Sequence, residues 1–173
     1  ASQPKEKVAQ SYTGREPAAM RSAMYNYDSY EQTFHRLKAL SDIGHTVDKI
    51  ELIVMGGTFL YLPEDYQEEF MKGCFDAIIN FGEENHNNHQ RTQSLEAAMR
   101  ALEKSKFRLI GITFETRPDY CKKEHVDRML RFGATRVEIG IQSTRNDLLN
   151  NAHRKHNVKD NINAIRTAKD AGL

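Results

Sequence analysis

The sequence predicts an α/β fold, part of a TIM-like barrel made of repeated βα units with parallel strands. Three observations predict it. Residues 49–55, 108–114 and 136–141 form short apolar-rich runs of strand length. Helical patterns lie before, between and after these runs, the alternation of a parallel sheet with right-handed crossovers. Each run then gives way to glycine or polar residues: Gly56-Gly57-Thr58, Glu115-Thr116-Arg117 and Gln142-Ser143-Thr144. The run Leu52-Ile53-Val54-Met55 is apolar enough to predict strands buried on both faces.

Each element has a local reason. Ser11-Tyr12-Thr13-Gly14-Arg15-Glu16-Pro17 is rich in turn formers and passes to Ala18-Ala19-Met20-Arg21, where a short helix is expected. Asp28 caps a helix with Tyr30, Phe34, Leu37 and Leu40 on one face, and Gly44 closes it. The first strand follows. Pro63-Glu64-Asp65 opens the next helix, with the acids at its positive end and Tyr66, Phe70, Cys74, Ala77 and Ile78 as its buried stripe. Residues 82–93 are polar and read as an exposed loop. Ser94 caps a helix reaching about Lys104. After the second strand, a helix runs from Lys123 to Phe132 and stops at Gly133. The third strand is followed by a short helical piece, a polar link and a last helix from Val158. Ala168-Lys169-Asp170-Ala171-Gly172 has the form of the helix ends that precede the other strands, so the chain reads as part of a longer barrel. The methionines fall at positions suited to filling gaps in a core.

Composition narrows the classes. A chain of 173 residues suffices for one domain with a sizeable core. Lys+Arg 25 against Asp+Glu 24 gives a formal charge of +1, so no overall basic field declares a nucleic-acid partner, although local patches remain open. No apolar run approaches the length of a membrane span, and the first residues lack the apolar core of a signal peptide. Two cysteines, Cys74 and Cys121, argue against a disulfide framework and suit a reducing compartment, so a cytoplasmic location is expected.

Parallel βα sheets collect functional groups at the C-terminal ends of their strands. Here the inventory suits a polar small molecule. The backbone at Gly56 and Gly57 admits close approach and can reach an ammonium or carboxylate. A carboxylate at Glu115 and an amide at Gln142 can grip vicinal hydroxyls such as those of a ribose. Arg154 can pair with a carboxylate. Polar residues at strand ends also serve turn geometry alone, and the pattern by itself leaves both readings open.

The motifs carry a resemblance. Gly56-Gly57-Thr58, then Glu115 with Pro118, then Ile139-Gly140-Ile141-Gln142-Ser143 resemble radical S-adenosylmethionine (SAM) enzymes, in the branch that includes the oxygen-independent coproporphyrinogen oxidases. The runs 11–17, 53–59, 115–121 and 137–143 together resemble the family of the catalytic subunit of Elongator and its archaeal and bacterial relatives. The resemblance extends over nearly the whole chain. It implies a radical SAM domain from an enzyme that carboxymethylates C5 of the wobble uridine of tRNA, with acetyl-CoA as donor. Uracil C5 bears an unactivated C–H that ordinary acid–base groups do not replace, so a reduced [4Fe–4S] cluster cleaves S-adenosylmethionine to a radical. By the same resemblance, Gly56, Gly57 and Thr58 hold the methionine amino group, Glu115 and Gln142 bind the ribose hydroxyls, and Arg154 contacts the methionine end. Partners implied are tRNA and either Elongator-type subunits or a second copy.

The chain departs from the family in one respect. The resemblance implies three closely spaced cluster cysteines before residue 1 and an acetyltransferase part downstream. Residues 1–173 contain neither, and Cys74 and Cys121 do not have the number or spacing to replace the cluster ligands. Cys121 reads as structural. A competing reading is therefore a cluster-less module of the same fold that binds tRNA or acts as a scaffold. An aldolase or metal hydrolase would require a lysine or a His-x-His pair at a strand end, and none is there.

Other features have bland counterparts. His86 and His89 lie in an Asn-rich stretch that reads as a solvated loop. Arg145, His153, Arg154, Lys155 and His156 form a basic stretch beside the expected site, either an ordinary loop or a phosphate contact; Arg145 and Lys155 are the candidates for RNA. The resemblance implies that Tyr12, Arg15 and Arg21 face the cluster or the RNA, with packing of Tyr12 in the core an equal alternative.

Overall fold

The computed structural model describes residues 14–82 and 91–173. The calls on Ser11, Tyr12, His86 and His89 lie outside the described residues. The elements are α1 (Pro17–Met24), α2 (Ser29–Asp42), β1 (Lys49–Val54), α3 (Glu64–Gly82), α4 (Leu95–Leu102), β2 (Arg108–Thr116), α5 (Lys123–Arg131), β3 (Arg136–Ile139), α6 (Asn146–Asn151) and α7 (Val158–Asp170), with single 3-10 turns at Phe59–Tyr61 and Pro118–Tyr120.

Local signals set most boundaries. The Asp28 carboxylate accepts from Glu31 N at 3.0 Å and starts α2. Gly44, at φ +92°, ends that helix, and His45 N donates back to Leu40 O at 3.0 Å. Ser94 Oγ accepts from Ala97 N at 3.1 Å and caps α4. Asn157 and Asp160 form a reciprocal capping box at the start of α7.

The strands form one parallel sheet in the order β1-β2-β3, as the alternation of elements predicts. Helices cover one face. Val54, Ile112 and Phe114 point into a core shared with Met71, Cys74 and Phe75 of α3, Ala98 of α4, Met129 of α5, and Ala164 and Ala168 of α7. Phe59 tilts against Phe114 and Phe132 stacks on it, with ring centroids 5.9 and 6.0 Å away.

The expectation of strands buried on both faces holds in β2 at Ile112, Thr113 and Phe114, buried in succession, and is corrected for β1. β1 alternates: Ile50 and Val54 are buried, whereas Ile53 is 46% and Met55 43% exposed. Their face would line the interior of a closed barrel; on it Thr113, the register partner of Ile53, is buried, whereas Ile53 itself stays exposed. The pairing shifts by one residue after Ile50, which leaves Ile110 of β2 without a register partner and 54% exposed. Three further expectations change. Tyr66 lies at the rim of the α3 stripe and is exposed. Met20 and Met24 are exposed like Met55, so gap filling holds for Met71 and Met129 but not for those three. β3 stops at Ile139, two residues short of its expected end.

Candidate functional site

The sheet order makes the three polar strand ends neighbours. Past β1, Gly56 and Gly57 take φ of +124° and +85°, conformations that favour glycine. A Cβ on Gly56 would meet nothing within 4 Å, so its backbone faces open space. Thr58 is half-buried, and its hydroxyl donates to Gly57 O at 2.5 Å. Glu115 lies within β2 rather than beyond it, because the strand runs to Thr116. It is half-buried and stands on the face opposite the helical core, with Thr113.

After β3 the backbone turns sharply. Ser143 N donates to Ile141 O at 2.8 Å across Gln142, whose φ is +65°. This is a positive-φ γ-turn, a rare conformation for a residue with a side chain, costing about 1–3 kcal/mol. Gln142 is exposed, and its Nε2 lies over Gly140, which shares the open face with Glu138. Arg154 Nη2 stands 3.5 Å from Gln142 Oε1, at the outer limit of a hydrogen bond. The structure thus brings Arg154 to Gln142 from the α6–α7 link. Gly140 N donates to Thr116 O at 2.9 Å and ties this turn to the end of β2.

The two RNA candidates have different surroundings. Arg145 is exposed but pairs with Asp147, at 3.1 Å from Nε and 2.5 Å from Nη2. Lys155 is exposed beside Arg154. His156 leaves this group: it is only 4% exposed, and its Nε2 faces Ile141 O at 3.2 Å. A polar sequence context gave no sign that the link folds inward at this residue. Sequence reasoning also missed Glu138, which pairs in register with Glu115 and so shares its face, and Asn161, whose side chain reaches the Gln142 turn. Alternation from Gly140 back to Glu138 was the one signal available for the first.

Residues 20–173 match the family model described as the Radical SAM superfamily. The chain belongs to that superfamily. Its parallel sheet is the radical SAM fold in part, a partial barrel. Among its relatives, the tRNA uridine(34) acetyltransferase of Methanocaldococcus infernus is 47% identical over 166 residues, covering 96% of this chain and 29% of that protein. Elongator complex protein 3 of Drosophila melanogaster is 44% identical over 167 residues, with 96% and 29% covered. The solved structure of the archaeal M. infernus Elp3 with an N-terminal deletion aligns with TM-score 0.80 and 43% identity, covering 88% of this chain and 34% of that one. The chain therefore spans about 29% of the length of these curated relatives.

A radical SAM protein implies S-adenosylmethionine and a [4Fe–4S] cluster. The donor set here fits the first: an open glycine backbone, a carboxylate and a presented amide at three adjacent strand ends, with a guanidinium brought beside the amide by the α6–α7 link. It does not fit the second. Cys74 and Cys121 are both buried, on α3 and beyond the second 3-10 turn, and burial pushes each thiol up to about 11. Their sulfurs face the carbonyls of Ser29 and Ala164. Among the described residues no group of three or more His, Cys, Asp or Glu could hold a metal ion. No helix among them is long and apolar enough to cross a membrane.

Proposed function

We propose that this chain is the S-adenosylmethionine-binding part of an enzyme that modifies C5 of the wobble uridine of tRNA, with acetyl-CoA as the carbon donor. The observation that carries this reading is the order of the strand ends, Gly56-Gly57-Thr58, Glu115 and Gln142 on adjacent parallel strands, in a chain 47% identical to a tRNA uridine(34) acetyltransferase. When bound beside a reduced cluster, S-adenosylmethionine supplies radical chemistry for a C–H that no side chain here could activate. The chain's own residues bind and orient it. The glycine turn and Thr58 take the methionine amino group, Arg154 its carboxylate end, and Glu115 with Gln142 the ribose hydroxyls. Arg145 and Lys155 meet tRNA phosphates at the rim.

In this reading residues 1–173 are one part of a radical SAM domain. The cluster cysteines and the acetyltransferase domain belong to other segments of the same polypeptide. The complete protein works in the cytoplasm, with Elongator-type subunits or as a homodimer.

The test uses the full-length protein, reconstituted anaerobically with iron and sulfide. It is expected to release 5′-deoxyadenosine from S-adenosylmethionine in the presence of tRNA and acetyl-CoA. Absence of iron and of cleavage would overturn the enzyme reading. Loss of cofactor affinity is expected in both Glu115→Ala and Gln142→Ala; unchanged affinity in both would refute the ribose assignment.

A further inference from the structure

The Gln142 γ-turn is strained, and such a conformation persists only where its surroundings over-determine it. Two side chains supply that constraint. Ile141 O accepts from Ser143 N within the turn, and also faces His156 Nε2 at 3.2 Å and Asn161 Nδ2 at 3.5 Å. Asn161 Nδ2 donates to Ser143 O at 3.0 Å as well. The carbonyls on both sides of Gln142 are therefore gripped by the same amide. His156 and Asn161 are each 4% exposed, so these bonds form out of competition with water.

The grip comes from a firm support. Asn161 lies on the second turn of α7, whose start is held by the Asn157–Asp160 box, and Val158 N donates to Asn146 Oδ1 of α6 at 2.9 Å. A carbonyl only accepts, so a bond to Ile141 O requires that His156 donate from Nε2. His156 Nδ1 and Asn161 Oδ1 are both buried, with no hydrogen-bond partner among the described residues. What both side chains achieve is the shape of the turn.

We propose that His156 and Asn161 are positioning residues that hold the Gln142 turn so that its amide is presented to the ribose of S-adenosylmethionine. The role rests on the cofactor reading of Gln142 given above. It makes the α6–α7 link, and not only the strand ends, part of the binding apparatus.

The test measures affinity for S-adenosylmethionine and for its 2′-deoxy analogue by equilibrium dialysis on the full-length protein, without turnover. Gln142→Ala is expected to weaken binding and to narrow the preference for the ribose form. His156→Ala is expected to do the same, by roughly tenfold, the scale of a lost orienting partner. His156→Gln, which keeps an amide donor, is expected to recover most of the loss. The Gln142→Ala/His156→Ala double variant is expected to bind no worse than Gln142→Ala, because both act through one contact. Should His156→Ala fail to fold, the near-isosteric Asn161→Asp, which removes the donor to Ser143 O, carries the same comparison. If Gln142→Ala weakens binding and the His156 and Asn161 variants do not, or if the losses add, the positioning role is overturned. If Gln142→Ala leaves affinity unchanged, the cofactor reading of Gln142 fails, and the proposal built on it falls too.

Discussion

Gln142 Nε2 stands 3.1 Å from the point that a Cβ on Gly140 would occupy. That glycine is not in the left-handed region, so alanine there brings no backbone strain. Its methyl would instead press on the Gln142 amide, with Thr116 O a further contact at 3.6 Å. Gly140→Ala is therefore expected to fold with a near-unchanged thermal midpoint. It should lower S-adenosylmethionine affinity by about 1 kcal/mol, roughly fivefold. Calorimetric titration beside a melting curve checks both parts, and full affinity would show that the amide does not serve the ligand from this position.

The two thiols predict alkaline behaviour. Each is raised from 9.0 to about 11, chiefly by burial. Between those values the unfolded chain has lost the proton that the folded chain keeps. Stability therefore falls as pH rises from about 9, by up to about 1.4 kcal/mol per pH unit for each thiol. Urea melts of Cys74→Ser and Cys121→Ser at pH 8 and 10, compared with the parent chain, should show a shallower decline. In the native state at neutral pH both thiols should resist iodoacetamide until the protein unfolds.

Gly73 of α3 packs directly against the start of α2. A Cβ there would collide with Ser29 Oγ and stand 3.3 Å from Tyr30 N. The serine hydroxyl can turn away, but the backbone amide cannot. Gly73→Ala should destabilise the fold by about 1–3 kcal/mol, with partial recovery in Ser29→Gly/Gly73→Ala. Chemical denaturation reads both, and an unchanged midpoint for the single variant would refute the tight packing.

Arg145 and Lys155 are expected to differ in RNA binding. The Arg145 guanidinium is held by Asp147, which lies below the usual carboxylate range because of that hydrogen bond. Replacing Lys155 by alanine should weaken tRNA binding and reduce the salt slope by about one. Arg145→Ala should do less, and Asp147→Asn should strengthen binding by freeing the arginine. A filter-binding series over salt concentration decides; equal losses for Arg145 and Lys155 would dismiss the screening by Asp147.

Much of the fold was legible because its signals are local. Asp28 and Ser94 satisfy backbone amides three residues ahead, and Gly44 and Gly133 accept positive φ, so each boundary follows from a few adjacent residues. The glycine turn after β1 was legible for the same reason. Burial was harder. Ile53 looks like a core residue in any window of sequence, yet it stands on the face of β1 opposite the helices and is exposed. The reverse holds for His156, polar in a polar stretch yet folded under the Gln142 turn.

Residue type and short-range spacing are enough to give the alternation of strands and helices, the caps that bound them, and the run of Gly56-Gly57-Thr58, Glu115 and Gln142 at the strand ends. The folded chain was needed to see that Glu115 stands in register with Glu138, that Gln142 sits in a strained turn, and that His156 and Asn161 reach back to its carbonyls. Strand register and contacts between residues 141 and 161 arise from packing α7 against the sheet. That is a balance over many distant side chains, which no local pattern encodes.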